Sequence, residues 1–295
     1  MDKGRCKIIE RNVRQNNKQA LVALHSAVLL FALSGLFAQW LNLSAIFIVF
    51  GRALFAAITL AAFVYFFKKQ SLKCESKTLF ALAITGGILA FHWGSFFQAI
   101  KVSSVAIGLI TFATFPVFVS FLEPLFFKEK FCFQALIQAL LTIIGISLIL
   151  PENNISSHVF IGACWGIVSA LSFAVLTLLN RKFVAKSSAK KVALYQNTFA
   201  ALFLLPFIMI APVAISIEQL AILALLGIVF TAFAHSLFNY SLKTISAQTA
   251  SIAVSLEPIY GIIAAYFFLS ESISFMMVLG GGIVLATNVW ALHNK

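Results

Sequence analysis

Residues 233–271 read FAHSLFNYSLKTISAQTASIAVSLEPIYGIIAAYFFLSE, and residues 91–129 read FHWGSFFQAIKVSSVAIGLITFATFPVFVSFLEPLFFKE. The two stretches align without a gap at an offset of 142, which takes Lys101 to Lys243, Ser104 to Ser246, Pro116 to Pro258 and Glu129 to Glu271. Phe91/Phe233, Phe96/Phe238 and Phe126/Phe268 match in the same register. Two apolar helices match in part by chance, but proline and charged positions agreeing in one register are harder to obtain by accident. The chain carries an internal repeat, and that repeat decides the fold.

Around this pair the apolar residues fall into ten stretches, at about 20–39, 44–67, 79–100, 103–127, 131–150, 159–180, 192–212, 218–241, 247–269 and 273–292. Each holds roughly 20 residues, which at 1.5 Å per residue spans a hydrocarbon core about 30 Å thick. The composition agrees: 61% of residues are hydrophobic and 10% are charged, against about 25% charged in soluble domains. So few charges cannot cover a soluble surface of this size, and lipid must solvate most of it. The expected fold class is an all-α membrane protein of ten transmembrane helices, arranged as two inverted five-helix repeats. Residues 1–19 form a polar N-terminal segment, 20–150 the first repeat and 151–295 the second. The first apolar stretch is too long for a secretory signal core, so it is expected to be retained as a helix.

Five helices per repeat is an odd number, so the second copy enters the membrane upside down relative to the first. The charges follow the inversion. With the N-terminus cytoplasmic, six Lys/Arg precede the first stretch, four lie in 68–78, two are Lys128 and Lys130, and five lie in 181–191; Lys243 and Lys295 bring the inner total to nineteen of 21. The outer loops hold only Lys101, and Arg52 lies inside the second stretch. The positive-inside rule then puts both termini in the cytoplasm, with the chain in the inner cell membrane. The formal charge of +12 is topological. Nucleic acid is not an expected partner, whereas a lipid bilayer and a small-molecule solute are. Cys6, Cys74, Cys132 and Cys164 suit neither a disulfide nor a zinc site. The sequence has no Walker loop, dinucleotide fingerprint or metal-binding His pair, so no cofactor, metal or ATP-driven pumping by this chain is expected. Inverted repeats with a site at their interface are the architecture of alternating-access carriers.

Several segments resemble the EamA-type transporters of the drug/metabolite transporter superfamily. In the second copy they are Leu242-Lys243-Thr244-Ile245-Ser246-Ala247, then Glu257-Pro258, then Leu269-Ser270-Glu271. In the first copy they are Lys101-Val102-Ser103-Ser104 through Pro116 to Lys128-Glu129, with Gly51-Arg52-Ala53 in the second helix. The resemblance covers nearly the whole chain as two EamA units. It implies a secondary active or facilitative carrier of small organic metabolites, often an exporter of amino acids or related compounds. Import or exchange of a nucleotide-like metabolite is the alternative among transporters. An intramembrane enzyme is the competing class. It would need a nucleophile–base or metal constellation, and the adjacent pairs His25-Ser26 and His235-Ser236 diverge by about 100° on a helix. The chain is not expected to be an enzyme.

Ionisable residues at membrane depth come first as site candidates, because each is costly unless paired or facing water. Glu257 lies about ten residues into the ninth helix and Arg52 about eight residues into the second, at depths that permit a pair. A structural ion pair is the plain reading of both. The functional one is that Glu257 faces a cavity and binds a substrate amine or a coupling proton. Pro116 and Pro258 occupy equivalent positions near the middles of helices four and nine, as packing kinks or as hinges. His235 and Asn239 share a face of helix eight, opposite the repeat equivalents Trp93 and Phe97 on helix three. Glu257 and Tyr260 share a face of helix nine, opposite Phe115 and Phe118 on helix four. If these faces line a cavity, one wall is polar and the other aromatic, suiting a small amphipathic solute such as an apolar or aromatic amino acid. His92 and Gln98 are weaker candidates, and the runs Gly86-Gly87 and Gly280-Gly281-Gly282 are expected to serve close helix packing.

Overall fold

A computed structural model of the chain describes residues 3–68, 74–127, 133–148, 157–210 and 212–293, as helices and short connections. Among the described residues, eight helices are long and apolar enough to cross a membrane: α1 Asn17–Trp40, α2 Ala45–Phe66, α3 Ser76–Val102, α4 Val105–Phe127, α6 His158–Val184, α7 Ala189–Ile210, α8 Ile217–Ser241 and α9 Ala247–Leu269. Two shorter apolar helices, α5 Leu136–Ser147 and α10 Phe275–Trp290, complete the ten. The expected edges of α5 at 131–132 and 149–150 lie outside the described residues, as do Lys128, Glu129 and Lys130. α10 starts two residues later than expected because α9 ends on Ser270 in the left-handed conformation (φ 54°), followed by a short irregular link.

The repeat is written into the element boundaries. α4 is broken into Val105–Phe112 and Phe115–Phe127, and α9 into Ala247–Val254 and Glu257–Leu269. All four boundaries differ by 142. Even the caps correspond: the Ser104 hydroxyl accepts from the Ile107 N–H, and the Ser246 hydroxyl from the Thr249 N–H. The break is more than the expected kink. Pro116 and Pro258 stand in the first turn of each second piece, where a missing N–H costs nothing and a fixed φ starts the helix. Upstream, α3 begins at Ser76 and α8 at Ile217, 141 apart, so the second copy gains one residue on the way. A π-helical segment in α8, Ile228–Phe233, holds it.

Packing repeats the symmetry. α3 packs on α6 as α8 packs on α1; α3 meets α7 as α8 meets α2; α4 touches α6 as α9 touches α1; and α2–α7, α4–α9 and α5–α10 are pairs across the repeats. Two glycines permit close crossings that correspond between the repeats. A Cβ on Gly86 would meet the Gln196 carbonyl at 2.9 Å, and one on Gly227 would meet the Arg52 carbonyl at 2.9 Å. Gly86 and Gly227 are 141 apart, and Arg52 and Gln196 are 144 apart, so these are one contact made twice. At one end of the bundle the Lys101 ammonium donates to the carbonyls of Ala38 (3.1 Å) and Leu41 (3.3 Å), capping α1. At the same end the Glu271 carboxylate accepts from the N–H groups of Val105 (2.9 Å) and Ala106 (3.3 Å), capping α4. Each charge sits where the helix dipole favours it.

The surface inverts the soluble pattern. Large apolar side chains such as Ile217, Leu125 and Phe275 are exposed outside, whereas Arg52, His92, Gln196, Asn197, His235, Asn239 and Glu257 are buried inside. Lipid in place of water makes that arrangement favourable.

Candidate functional site

Arg52 is fully buried midway along α2. Its Nε donates to the Thr231 hydroxyl (2.9 Å), which donates in turn to the Leu226 carbonyl (2.8 Å), and its Nη2 donates to the Phe230 carbonyl (3.4 Å). Both acceptors lie in the π-helical segment of α8, whose widened turn alters the ladder and frees backbone acceptors. Gly227 lets α8 come close enough for this contact. The guanidinium also lies over Trp93 at 4.1 Å and Phe97 at 5.3 Å from the ring centroids. A buried cation is thus held by a hydroxyl, a carbonyl and two rings.

Glu257 is the first residue of the second piece of α9, at the break before Pro258. It is buried, and the helix N-terminus behind it favours its negative charge. Glu257 and Arg52 line one cavity with Phe31, Ser34, His92, Trp93, Phe96, Phe112 and Phe173. They interact electrostatically without a direct ion pair. Among the described residues nothing hydrogen-bonds the Glu257 carboxylate. His92 is tied down, its Nδ1 within 3.1 Å of the Ser169 carbonyl and its ring stacked on Phe173 at 4.5 Å. Phe173 in turn contacts Phe115 (4.8 Å) and Phe238 (5.4 Å), and Phe31 meets Phe238 at 5.8 Å. The cavity holds about 30 Å³, room for roughly one water rather than an organic solute. This conformation is closed at mid-membrane.

His235 and Asn239 sit in a separate polar layer farther along α8, linked by side-chain hydrogen bonds. The Gln196 amide donates to the Thr85 hydroxyl (2.9 Å) and the Asn180 carbonyl oxygen (2.6 Å), and the Asn180 amide donates to Asn239 Oδ1 (3.0 Å). Beside them the Asn197 amide donates to the Ala193 carbonyl (2.8 Å) and lies 3.2 Å from His235 Nδ1. An amide donor at Nδ1 leaves the ring proton of a neutral histidine on Nε2. Trp93 meets the His235 ring edge-on at 6.0 Å and links the layer to the cavity. Beyond it lies a vestibule of about 810 Å³ lined by Glu75, Lys77, Arg181, Lys182, Lys186 and Lys243. Arg181 there pairs with the buried Glu123 at 2.7 Å.

Arg52, Glu257 and Trp93 therefore share the cavity. Phe97 packs under the Arg52 cation, and His235 and Asn239 lie one layer away. Tyr260 does not join them: it is 38% exposed on the outside of the bundle. Residues three apart differ by about 60° around a helix, and Glu257, at the break, turns inward as Tyr260 turns out. The sequence reading passed over the carboxamides Asn180, Gln196 and Asn197, the acceptor Thr231 and the acid Glu123. Uncharged polar residues within apolar spans were the available signal for the first four, and the Glu123-Pro124 pair, resembling Glu257-Pro258, was the signal for the last.

The profile of the EamA-like transporter family matches residues 18–150 and again 160–292. An uncharacterised transporter of Bacillus subtilis, YxxF, is 26% identical over 277 residues, covering 89% of this chain and 88% of its own. An S-adenosylmethionine uptake transporter of Rickettsia prowazekii is 26% identical over 251 residues, covering 84% and 83%. A crystal structure superposes with a TM-score of 0.69 over 94% of this chain and 98% of that one, at 16% identity, which speaks for the fold alone. With both repeats matched and the broken helices of each in register, the chain belongs to the EamA-like transporter family.

Proposed function

We propose that this transporter moves a small zwitterionic organic solute of the amino-acid type by alternating access, without a bound cofactor. The observation that carries this reading is the cavity in which Arg52 and Glu257 face each other unpaired inside a ring of aromatic side chains. A solute carboxylate would take the free side of the guanidinium, its ammonium would take Glu257, and its apolar part would lie against Trp93, Phe112 and Phe173. Glu257 is also the group on which a coupling proton would exchange with solute. Pro116 and Pro258, at the breaks of α4 and α9, would serve as hinges. Both termini are assigned to the cytoplasm in an inner membrane, and export is the expected direction for an amino acid.

A second reading, uptake of S-adenosylmethionine, is favoured by the relatives that carry that name. Its sulfonium and ammonium groups suit Glu257 and the aromatic ring, and its carboxylate suits Arg52. Counterflow of labelled phenylalanine and of labelled S-adenosylmethionine in vesicles holding the purified chain separates the two. Glu257→Gln keeps the side chain's shape, so it should leave the melting temperature close to that of the parent while lowering counterflow by more than about tenfold, since a charged hydrogen bond is worth roughly 1.5–3 kcal/mol. Parent-like transport in this variant would remove Glu257 from the site. Loss of folding would assign it a structural role.

A further inference from the structure

The layer of Asn180, Gln196, Asn197, His235 and Asn239 is more polar than packing requires, and it is incompletely satisfied. Gln196 Oε1, Asn197 Oδ1, His235 Nε2 and Asn239 Nδ2 are all buried without a hydrogen-bond partner. Each such atom costs about as much as a lost hydrogen bond, and four in one layer call for a second set of partners. They are two acceptors on α7 and two donors on α8. The layer also stands where the repeat puts it: Gln196 corresponds to Arg52, His235 to Trp93 and Asn239 to Phe97. It is the second copy's version of the arrangement that holds the cation in the first. Along α8, His235 and Asn239 lie about 6 and 12 Å beyond Thr231 toward Lys243, counted at 1.5 Å per residue. The layer therefore separates the closed cavity from the lysine-lined vestibule.

We propose that this layer is the half of the solute path nearer the lysine-rich face, closed in this conformation and opened by the parting of α7 from α8. When open, its four unpaired atoms hydrogen-bond an uncharged group that presents donors and acceptors together, such as a carboxamide or the aminopyrimidine edge of a purine. A solute entering from that face meets these amides first and the Arg52–Glu257 cavity second. The side-chain bonds that shut the layer are exchanged for bonds to solute or water, so opening leaves no polar atom bare. The proposal rests on the transport reading above, but its test separates the two.

The test uses the full chain with Cys6, Cys74, Cys132 and Cys164 replaced by serine, held in lipid nanodiscs. Single variants Asn239→Cys and Gln196→Cys are treated with a water-soluble methanethiosulfonate. Val284→Cys, fully buried against α5, is the control for folding. Both path positions should react at least about tenfold faster than the control, as expected of functional opening rather than local unfolding. Reaction no faster than the control overturns the proposal. Asn239→Leu supplies the second measurement: it lowers the melting temperature by the bond it takes from Asn180, and a path residue also loses counterflow by about tenfold, one hydrogen bond's worth. A drop in melting temperature with parent-like counterflow marks a structural layer and also overturns it. If the parent chain carries neither phenylalanine nor S-adenosylmethionine, the solute reading fails, while the labelling rates still decide the path.

Discussion

Arg52 carries a buried charge with no carboxylate on it, and that absence has a physical reading. An ion pair with Glu257 would neutralise both groups and leave the cavity little to offer a charged solute. Thr231, the Phe230 carbonyl, Trp93 and Phe97 hold the guanidinium by one edge and one face instead. Arg52→Ala would strip Thr231 and the rings of their partner and open a void. We expect a loss of about 2–4 kcal/mol in stability, read as a lowered melting temperature in detergent. Arg52→Lys keeps the charge but not the planar fork, so it should fold better than the alanine variant and still transport poorly. Equal melting temperatures for the two would show that the planar contacts contribute nothing.

Among the elements, α8 is the one shaped by exceptions. Its π-helical segment supplies the acceptors for Arg52, and Gly227 just before it touches the Arg52 carbonyl. A methyl at Gly227 meets backbone and a Cβ, neither of which is the end of a flexible chain. Gly227→Ala should therefore destabilise the protein by about 1–3 kcal/mol. Gly282→Ala, where a Cβ meets nothing within 4 Å, should be neutral. A comparison of their thermal melts checks this, and equal effects would mean that α2 and α8 can separate cheaply. The other functional element is the start of α4, capped from the opposite repeat by Glu271. Glu271→Ala leaves two N–H groups to water and should loosen that end. The expected result is faster thiol labelling at Gly35→Cys, beside Ile100 and Val105, with inner-end labelling unchanged.

For the molecule as a whole, the inverted repeat makes orientation testable. Asn42 and Lys186 are both exposed at opposite ends of the bundle. In a chain whose own cysteines are replaced, Asn42→Cys in intact cells should react with an impermeant thiol reagent, and Lys186→Cys only after the cytoplasmic face is opened. The reverse pattern would turn the assignment of inner and outer faces around, and with it the direction of approach through the carboxamide layer. On the proposed alternating-access reading, the closed cavity and the open vestibule at the lysine-rich end would be one stage of a cycle in which the two repeats exchange roles.

The number of helices, their inversion and the cost of charges at membrane depth were legible in the sequence, and the structure lines one cavity with Glu257, Arg52 and Trp93. The legible features rest on quantities that are local or periodic: runs of about twenty apolar residues, charges between them, and a proline and lysines that recur in register. Tertiary structure alone decided which way a side chain turns at a helix break and which uncharged groups meet. Tyr260 faces outward because its helix restarts at Glu257. Gln196 meets Asn180 and Thr85 because two glycine crossings bring α3 and α8 against α7 and α2. A charge inside a span announces its cost in any context, whereas an amide's cost depends on the partners that folding supplies, and those come from four different helices.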